Sequence, residues 1–369
     1  MQDLSGSQPA FSSAPEPMKW RLQYPASKGN WPKFLLVFGM ARSGTSWIGK
    51  IFDSHPLTLY KHEPDRALPD VPMSPRLEEA EQFVGPVRRF FAQLPTLAKT
   101  HVAGSLPIFS KQYRSGMAQQ LHRVSVLSAL ATSSLPLKLP ILQCVPVNHG
   151  EIHVVWKSID SLGRLGVFLH IMEDCRAIWI TRHPCASISS TLRGEAQHKF
   201  SSSVSASEDY GIMRIFLESA TRKRGLTVDH LRQFHPVERM AWIWVLANEK
   251  AADETQAIGR CIGVRYEDVC LDPTGKAKEL FSFSGLTWNE QTSNFIKAST
   301  LGARPGKFDQ LTQDSRRYYG IFRDPVQSAD KWKSEMKPED IERVYRVLRQ
   351  SDLIQLYPES EAPRIRSST

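Results

Sequence analysis

The sequence predicts a three-layer α/β/α fold, in which helices cover both faces of a central parallel β-sheet. Short, continuous apolar runs of strand length alternate with segments of helix length along most of the chain. The first apolar run, residues 33–38, leads through a glycine-containing loop into a predicted helix over residues 45–54. With 369 residues, 41% of them hydrophobic, the chain can bury one sizeable core.

The same alternation places the remaining elements. It predicts further strands at 58–60, 152–156, 177–181 and 261–266. It predicts helices at 161–173, from Pro184 onward, and at 237–255, 273–284, 290–298 and 338–350.

Composition divides the chain into three parts. Residues 1–30, rich in Ser, Pro and Gln, are predicted to be a flexible N-terminal segment. Residues 31–350 form the predicted folded domain, and residues 351–369 a C-terminal tail. Within the domain, prolines are frequent over about 65–150, with helices predicted near 76–93 and 112–131. We therefore predict a mostly helical insertion or lid on the sheet there.

Charge and cysteine content narrow the partners and the compartment. The chain carries 47 basic and 38 acidic residues, a formal net charge of +9, which favours an anionic ligand. It lacks long basic runs and zinc-finger spacing, so no nucleic-acid partner is predicted. Five dispersed cysteines argue for a reducing compartment, and no apolar run reaches the roughly 18 residues of a membrane span. The expectation is a cytoplasmic protein without an integral membrane segment.

The strongest local signal is the loop from Gly39 to Ser46, GMARSGTS, between the first strand and the first helix. Its glycines allow backbone N–H groups to converge on an anion, and the helix N-terminus adds partial positive charge. The loop has the length of a Walker A loop, but Thr45 stands where that motif has lysine. The cation is Arg42, inside the loop, which suits a single 5′-phosphate and its substituent. The sequence therefore predicts a P-loop-like fold with an altered phosphate site.

A second anion site is predicted at the end of the strand over residues 177–181. Arg182 follows that strand, and a helix begun by Pro184 carries Ser190 about two turns further on. A guanidinium and a hydroxyl placed in this way can bind one phosphate together.

These two motifs resemble those of the PAPS-dependent sulfotransferase family, where PAPS is 3′-phosphoadenosine 5′-phosphosulfate. The similarity to its carbohydrate-type and bacterial branch continues through Asp53-Ser54-His55-Pro56 and Glu63-Pro64, and covers residues 34–64 and 152–286. It implies a sulfotransferase domain over 31–350, PAPS as co-substrate, 3′-phosphoadenosine 5′-phosphate (PAP) as product, and no metal. The loop residues that match the family's 5′-phosphosulfate motif are Gly39, Arg42, Ser43, Gly44, Thr45, Ser46 and Trp47.

The resemblance also assigns roles to single residues. It implies that Arg42 binds the 5′-phosphate and neutralises the leaving oxygen, while Arg182 and Ser190 bind the 3′-phosphate. Tyr266 is the candidate for contact with the adenine, although a tyrosine at a strand end can also serve packing alone. Lys157 matches a family lysine that steadies the transferring group.

The sequence offers three candidates for the base that takes the acceptor's proton. Ile159 stands where cytosolic members of the family have a histidine. Similarity to the carbohydrate-type members favours Glu63, whose pKa we expect burial to raise. His62 and Asp160 are the alternatives, and Glu63 could instead form a surface ion pair.

Further candidates lie nearer the C-terminus. Several polar side chains could close over the co-substrate or meet an anionic acceptor: Arg316, Arg317, Tyr318, Arg323 and Lys333. Trp242, Trp244 and Trp332 are predicted to pack in the core. The histidines lack metal-ligand spacing.

The predicted function is transfer of a sulfonyl group to a hydroxyl or amine of a small-molecule or glycan acceptor, by in-line displacement with a carboxylate base. Two alternatives stay open at this point. One is a P-loop-type nucleotide kinase, and the other is a nucleotide-binding protein without catalysis. The oligomeric state is not predicted.

Overall fold

A computed structural model describes residues 33–68, 70–133, 139, 141–143, 152–200, 204–220, 222, 224–300 and 324–361. Its centre is a five-stranded parallel sheet with the order β2-β3-β1-β4-β5. The strands are β1 Lys33–Gly39, β2 Thr58–His62, β3 His153–Ser158, β4 Arg176–Thr181 and β5 Cys261–Arg265. All five lie where the apolar runs predicted them.

Helices connect the strands and cover the sheet. Those up to β4 are α1 Thr45–Asp53, α2 Val84–Gln93, α3 Thr100–Ala103, α4 Gly116–Ala131 and α5 Leu165–Ile171. Those between β4 and β5 are α6 Pro184–Ala196, α7 Tyr210–Ser219, α8 Val228–Gln233 and α9 Pro236–Thr255. After β5 come α10 Tyr266–Leu271, α11 Pro273–Ser284, α12 Glu290–Thr300, α13 Pro325–Asp330, α14 Trp332–Glu335 and α15 Pro338–Leu348.

Alternate residues of β1 face opposite layers of the molecule. Leu36 and Phe38 pack into a core cluster with Trp156 of β3. Leu35 and Val37 pack into a second cluster that includes residues of α1 and α11. Since successive side chains of a strand point to opposite faces, one sheet with two apolar faces explains both clusters. The predicted three-layer α/β/α fold is confirmed.

The parallel arrangement brings the carboxyl ends of all five strands to one edge of the sheet. These ends are Gly39, His62, Ser158, Thr181 and Arg265. From β1 the chain first builds one side of the sheet, β2 and β3, and then crosses to the other side, β4 and β5. Ligands of open parallel sheets bind at such a reversal, outside the carboxyl ends.

The insertion between β2 and β3 is mostly helical, as predicted, and packs on the sheet and on α1. Phe90 and Phe91 of α2 contact Trp156, with ring centroids 4.9 and 5.7 Å apart. Lys111 donates to Asp53 Oδ1 of α1 over 3.1 Å. The helix expected over residues 76–93 is divided, with 3₁₀ turns over Leu77–Phe83 before α2 begins.

Candidate active site

The loop between β1 and α1 forms a cradle with free donors. Gly44 has a φ of 87°, in the left-handed region, and provides no side-chain cap for α1. The first N–H groups of a helix have no partner within that helix, so those of α1 point into the loop. The Ser43 side chain is buried, and within the described part of the chain its hydroxyl has no hydrogen-bond partner. An anion in the loop would satisfy both sets of donors.

Tyr266 closes one side of this cradle. It is the first residue of α10 rather than the last of β5. A Cβ atom built on Gly44 would lie 2.1 Å from the Tyr266 ring, so only glycine allows the ring to approach the loop this closely. The guanidinium carbon of Arg182 lies 4.9 Å from the centre of the same ring. Tyr266 therefore joins the two arginine motifs, and its contact with adenine stays a prediction.

Arg42 and Arg182 belong to one site. Arg42 donates from Nε to Ser190 Oγ over 2.9 Å. Arg182 donates from Nη1 to the backbone oxygen of Arg42, also over 2.9 Å. The side chain of Arg182 is buried, and its Nε has no hydrogen-bond partner among the described residues. The structure thus brings together the two motifs that the sequence indicated separately.

Glu63 and Lys157 lie at the ends of neighbouring strands. In the β2–β3 pairing, His62 is opposite Lys157, which places Glu63 just beyond it. The Lys157 ammonium donates to Glu63 Oε1, and the Glu63 backbone N–H donates to the Lys157 carbonyl over 2.8 Å. Glu63 has a φ of 45°, which is uncommon for a residue with a Cβ atom. This ion pair lies at the carboxyl edge of the sheet, beside the cradle.

The prediction that burial raises the pKa of Glu63 is wrong, because Glu63 is paired with Lys157. Burial alone would raise it, but the charge and hydrogen bond of Lys157 lower the pKa below its usual value. Glu63 is therefore a carboxylate near neutral pH, able to accept a proton but a weak base while Lys157 holds it.

The two alternative bases differ in their electrostatics. Burial, followed by the charge of Lys157, lowers the pKa of His62 to about 3. Its Nδ1 lies 3.1 Å from the Tyr60 hydroxyl. Asp160 is exposed by area, and the desolvating protein around it, with the carboxylates of Asp65 and Glu63, raises its pKa. His62 is thus a poor proton acceptor.

Comparison with known proteins fits this geometry. A family model described as the sulfotransferase family matches residues 33–224, more than half of the chain. The chain belongs to the sulfotransferase family. The predicted family and enzyme class, a PAPS-dependent sulfotransferase, are confirmed at this level.

Individual relatives are more distant. Carbohydrate sulfotransferase 3 of Mus musculus is 33% identical over 78 residues, which cover 21% of this chain but only 15% of that protein. Carbohydrate sulfotransferase 1 of Danio rerio is 21% identical over 327 residues, 81% of this chain and 71% of that protein. A solved sulfotransferase domain from the curacin biosynthetic pathway is 16% identical, covers 87% of this chain and 98% of that one, and gives a TM-score of 0.45.

Other family motif residues serve the structure around the site. Trp47 is buried, donates from its indole to Ser299 Oγ over 3.0 Å, and meets the Tyr266 ring edge-on at 6.1 Å. This contact helps to hold the Tyr266 ring in position. A direct contact between Trp47 and the co-substrate stays a prediction. Asp53 is held between Lys50 and Lys111.

The C-terminal candidates divide into two groups. Arg316, Arg317, Tyr318 and Arg323 lie outside the described residues. Lys333 pairs with Asp330 at the surface, with its Nζ 2.8 Å from Oδ1. The three tryptophans predicted to pack in the core are buried: Trp242, Trp244 and Trp332.

Sequence reasoning missed a buried cluster behind Glu63. Asp65 Oδ1 accepts hydrogen bonds from the hydroxyls of Ser158 and Ser161, and Arg164 Nη1 donates to Ser161 Oγ over 3.0 Å. This cluster fixes the turn after β2 to the turn after β3. The sequence signal that could have predicted this cluster is the pair of serines in the segment KSIDS, directly after Lys157.

No group of three or more His, Cys, Asp or Glu side chains in the described segments is arranged to hold a metal ion. No helix among the described elements has the length and apolar character needed to cross a membrane.

Proposed function

We propose that this protein transfers the sulfonyl group of PAPS to a hydroxyl of a carbohydrate acceptor. The observation that carries the proposal is the hydrogen bond from Arg42 to Ser190, which unites the 5′- and 3′-phosphate motifs in one site. Buried donors with no partner among the described residues, on Ser43 and Arg182, fit a ligand with two phosphate groups.

The side chains support an in-line displacement. The acceptor oxygen attacks sulfur from the side of Glu63, which takes the hydroxyl proton, while the bond from sulfur to the bridging oxygen of PAPS breaks. Negative charge develops on that oxygen, which leaves as part of PAP. Arg42 and Lys157 supply the positive charge that stabilises it. The position of Glu63 and Lys157 at the carboxyl ends of neighbouring strands supports this mechanism.

A nucleotide kinase is less well supported. The Walker lysine, which binds the β- and γ-phosphates of a nucleoside triphosphate, is replaced by Thr45, which is buried. The cation of this loop is Arg42, and it is directed to Ser190.

The names of the relatives support a carbohydrate acceptor, and the exposure of the proposed base supports access for an acceptor of any class. Both curated relatives are named carbohydrate sulfotransferases. Glu63, the proposed base, keeps 29% of its side chain exposed, so an acceptor hydroxyl can reach it from solvent.

Binding and turnover together test this proposal. Calorimetric titration with PAP and with ATP, in the presence of a chelator, should show tight binding of PAP and weak binding of ATP. Incubation with ³⁵S-labelled PAPS and a panel of glycans should then label an acceptor. Preference for ATP would support a kinase, and PAP binding without transfer to any glycan would remove the carbohydrate acceptor.

A further inference from the structure

Lys157 forms an ion pair with the proposed base. Its side chain is only 2% exposed, and its ammonium donates to Glu63 Oε1. A buried ammonium is stable only with an anionic partner or several hydrogen bonds. Within the described part of the chain, Glu63 is the side chain with which it forms an ion pair. This pair therefore satisfies the charges of both residues.

The same lysine lies beside the phosphate-binding element. A Cβ atom built on Gly49 of α1 would lie 3.2 Å from Lys157 Cγ. Gly49 follows Thr45 by four residues, which is about 6 Å along the helix axis. The Lys157 side chain thus passes next to the helix whose N-terminus forms the phosphate cradle. When PAPS is bound in this cradle, the Glu63 carboxylate and the PAPS sulfonyl group would be two anions near one ammonium.

The two anions would compete for this ammonium, and positive charge affects their roles in the reaction in opposite ways. The sulfonyl group and the leaving oxygen need positive charge as the bond to PAP breaks. Glu63, as the base, works better without a positive charge beside it, because a carboxylate paired with an ammonium binds a proton weakly.

We propose that PAPS binding draws Lys157 away from Glu63 to the sulfonyl group, so that Glu63 becomes an effective base only when the co-substrate is present. The inference rests on the proposed function and adds a control step to it. Without PAPS, the ion pair keeps Glu63 from accepting protons. With PAPS bound, burial is the main remaining influence on Glu63, and burial favours the protonated carboxyl.

The charged groups around Glu63 determine how much proton uptake we expect. Lys157 of β3, His62 of β2 and His101 of α3 all favour its ionised form. The carboxyl of Asp160 is a second possible proton acceptor, because its pKa is raised. Release of Lys157 should therefore give proton uptake by Glu63 at mildly acidic pH, before any acceptor is added.

Calorimetry can detect this uptake directly. We would titrate the full chain with PAPS at about pH 5.5 in two buffers of different ionisation enthalpy, which gives the number of protons taken up per PAPS bound. Wild type and Asp160→Asn should take up a fraction of a proton more than Glu63→Gln. Titration with adenosine 3′-phosphate, which lacks both the sulfonyl group and the leaving oxygen, should show no difference between wild type and Glu63→Gln.

Each other outcome has a clear meaning. Clear PAPS binding with equal proton uptake in wild type and Glu63→Gln would overturn the inference and leave the proposed function standing. Loss of the uptake in Asp160→Asn alone would overturn the inference by assigning the proton to Asp160. A Glu63-dependent uptake with adenosine 3′-phosphate would overturn the role of the phosphosulfate end of PAPS. Failure to bind PAPS would overturn the proposed function, and this inference with it.

Discussion

Arg42 adopts a backbone conformation that residues with a Cβ atom rarely use, with φ of 70°. That conformation lets its backbone oxygen accept from Arg182 while its side chain reaches Ser190. A single loop residue therefore contacts both members of the second motif. Its loss should affect both phosphate sites at once.

Arg42→Ala should lower PAP affinity by roughly 10- to 100-fold, because charge-assisted hydrogen bonds contribute about 1.5–3 kcal/mol. Sulfonyl transfer should fall further, by about 10²- to 10³-fold, because positive charge on the leaving oxygen is lost as well. Titration calorimetry and ³⁵S transfer measure the two effects. Arg232→Ala on α8, where the arginine pairs with Asp229 at the surface, is the control and should change neither. Unchanged transfer in Arg42→Ala would remove this residue from the mechanism.

Glu63→Gln should reduce kcat by roughly 10²- to 10⁴-fold, the range of general base catalysis, with little change in PAP affinity. The amide cannot accept the acceptor's proton, whereas the phosphate contacts are made by other residues. Steady-state kinetics and PAP titration separate these quantities. If His62→Gln causes the larger loss of kcat, the base is His62 despite its low pKa.

At the scale of elements, the turns after β2 and β3 act as one unit. Asp65 Oδ1 lies 2.5 Å from Ser158 Oγ, and Arg164 extends the connection to the backbone oxygens of Val71 and Pro72. The Asp65 side chain is buried, so its hydrogen bonds are shielded from water. The position of Glu63 depends on this unit.

Asp65→Asn should lower the free energy of unfolding by about 1–3 kcal/mol, because buried hydroxyl groups lose a charged acceptor. It should also reduce kcat more than it weakens PAP binding, since the turn that carries Glu63 loosens while the cradle stays intact. Urea denaturation and kinetics test the two parts. Asp70→Asn, on an exposed side chain of the same segment, is the control. Equal loss of kcat and PAP affinity would contradict this division.

The strands could be predicted from sequence because each is a nearly continuous apolar run between two covered faces. The boundaries of the helices in the insertion could not be predicted in this way. Pro86 lacks the N–H that a helix interior needs, and is tolerated only because α2 begins at Val84, which divides the predicted helix. The Lys157–Glu63 pair was also beyond sequence reasoning, because the residues are 94 positions apart and meet only through the β2–β3 register.

At the scale of the molecule, the C-terminal helices close on the carboxyl ends of β4 and β5. Arg182 donates from Nη2 to the Ser328 carbonyl over 2.5 Å. Trp332 stacks on His183 with ring centroids 4.2 Å apart. Tyr357, beyond the predicted domain boundary at 350, is fully buried and donates to Thr181 Oγ1 over 2.8 Å. The packed molecule thus extends into the segment predicted as a tail.

His183 makes this junction sensitive to acid. Burial, followed by nearby positive charges, lowers its pKa to about 3. An unfolded histidine takes up its proton near pH 6.5, so between these values the unfolded state binds more protons and stability falls as pH is lowered. At pH 5 the cost is about 2 kcal/mol relative to pH 8. His183→Gln should therefore show a shallower loss of stability between pH 8 and pH 5 in urea denaturation, and an unchanged slope would contradict this account.

The strand order separates two tasks in space. β1, β4 and β5 lead into the residues proposed to grip the nucleotide, Arg42, Arg182 and Tyr266. β2 and β3 carry the proposed chemistry and flank the insertion. We therefore expect that exchange of the insertion beyond Pro72, which keeps Glu63 and the Asp65 hydrogen bonds, would change the choice of acceptor and leave the half proposed to bind the nucleotide unaltered.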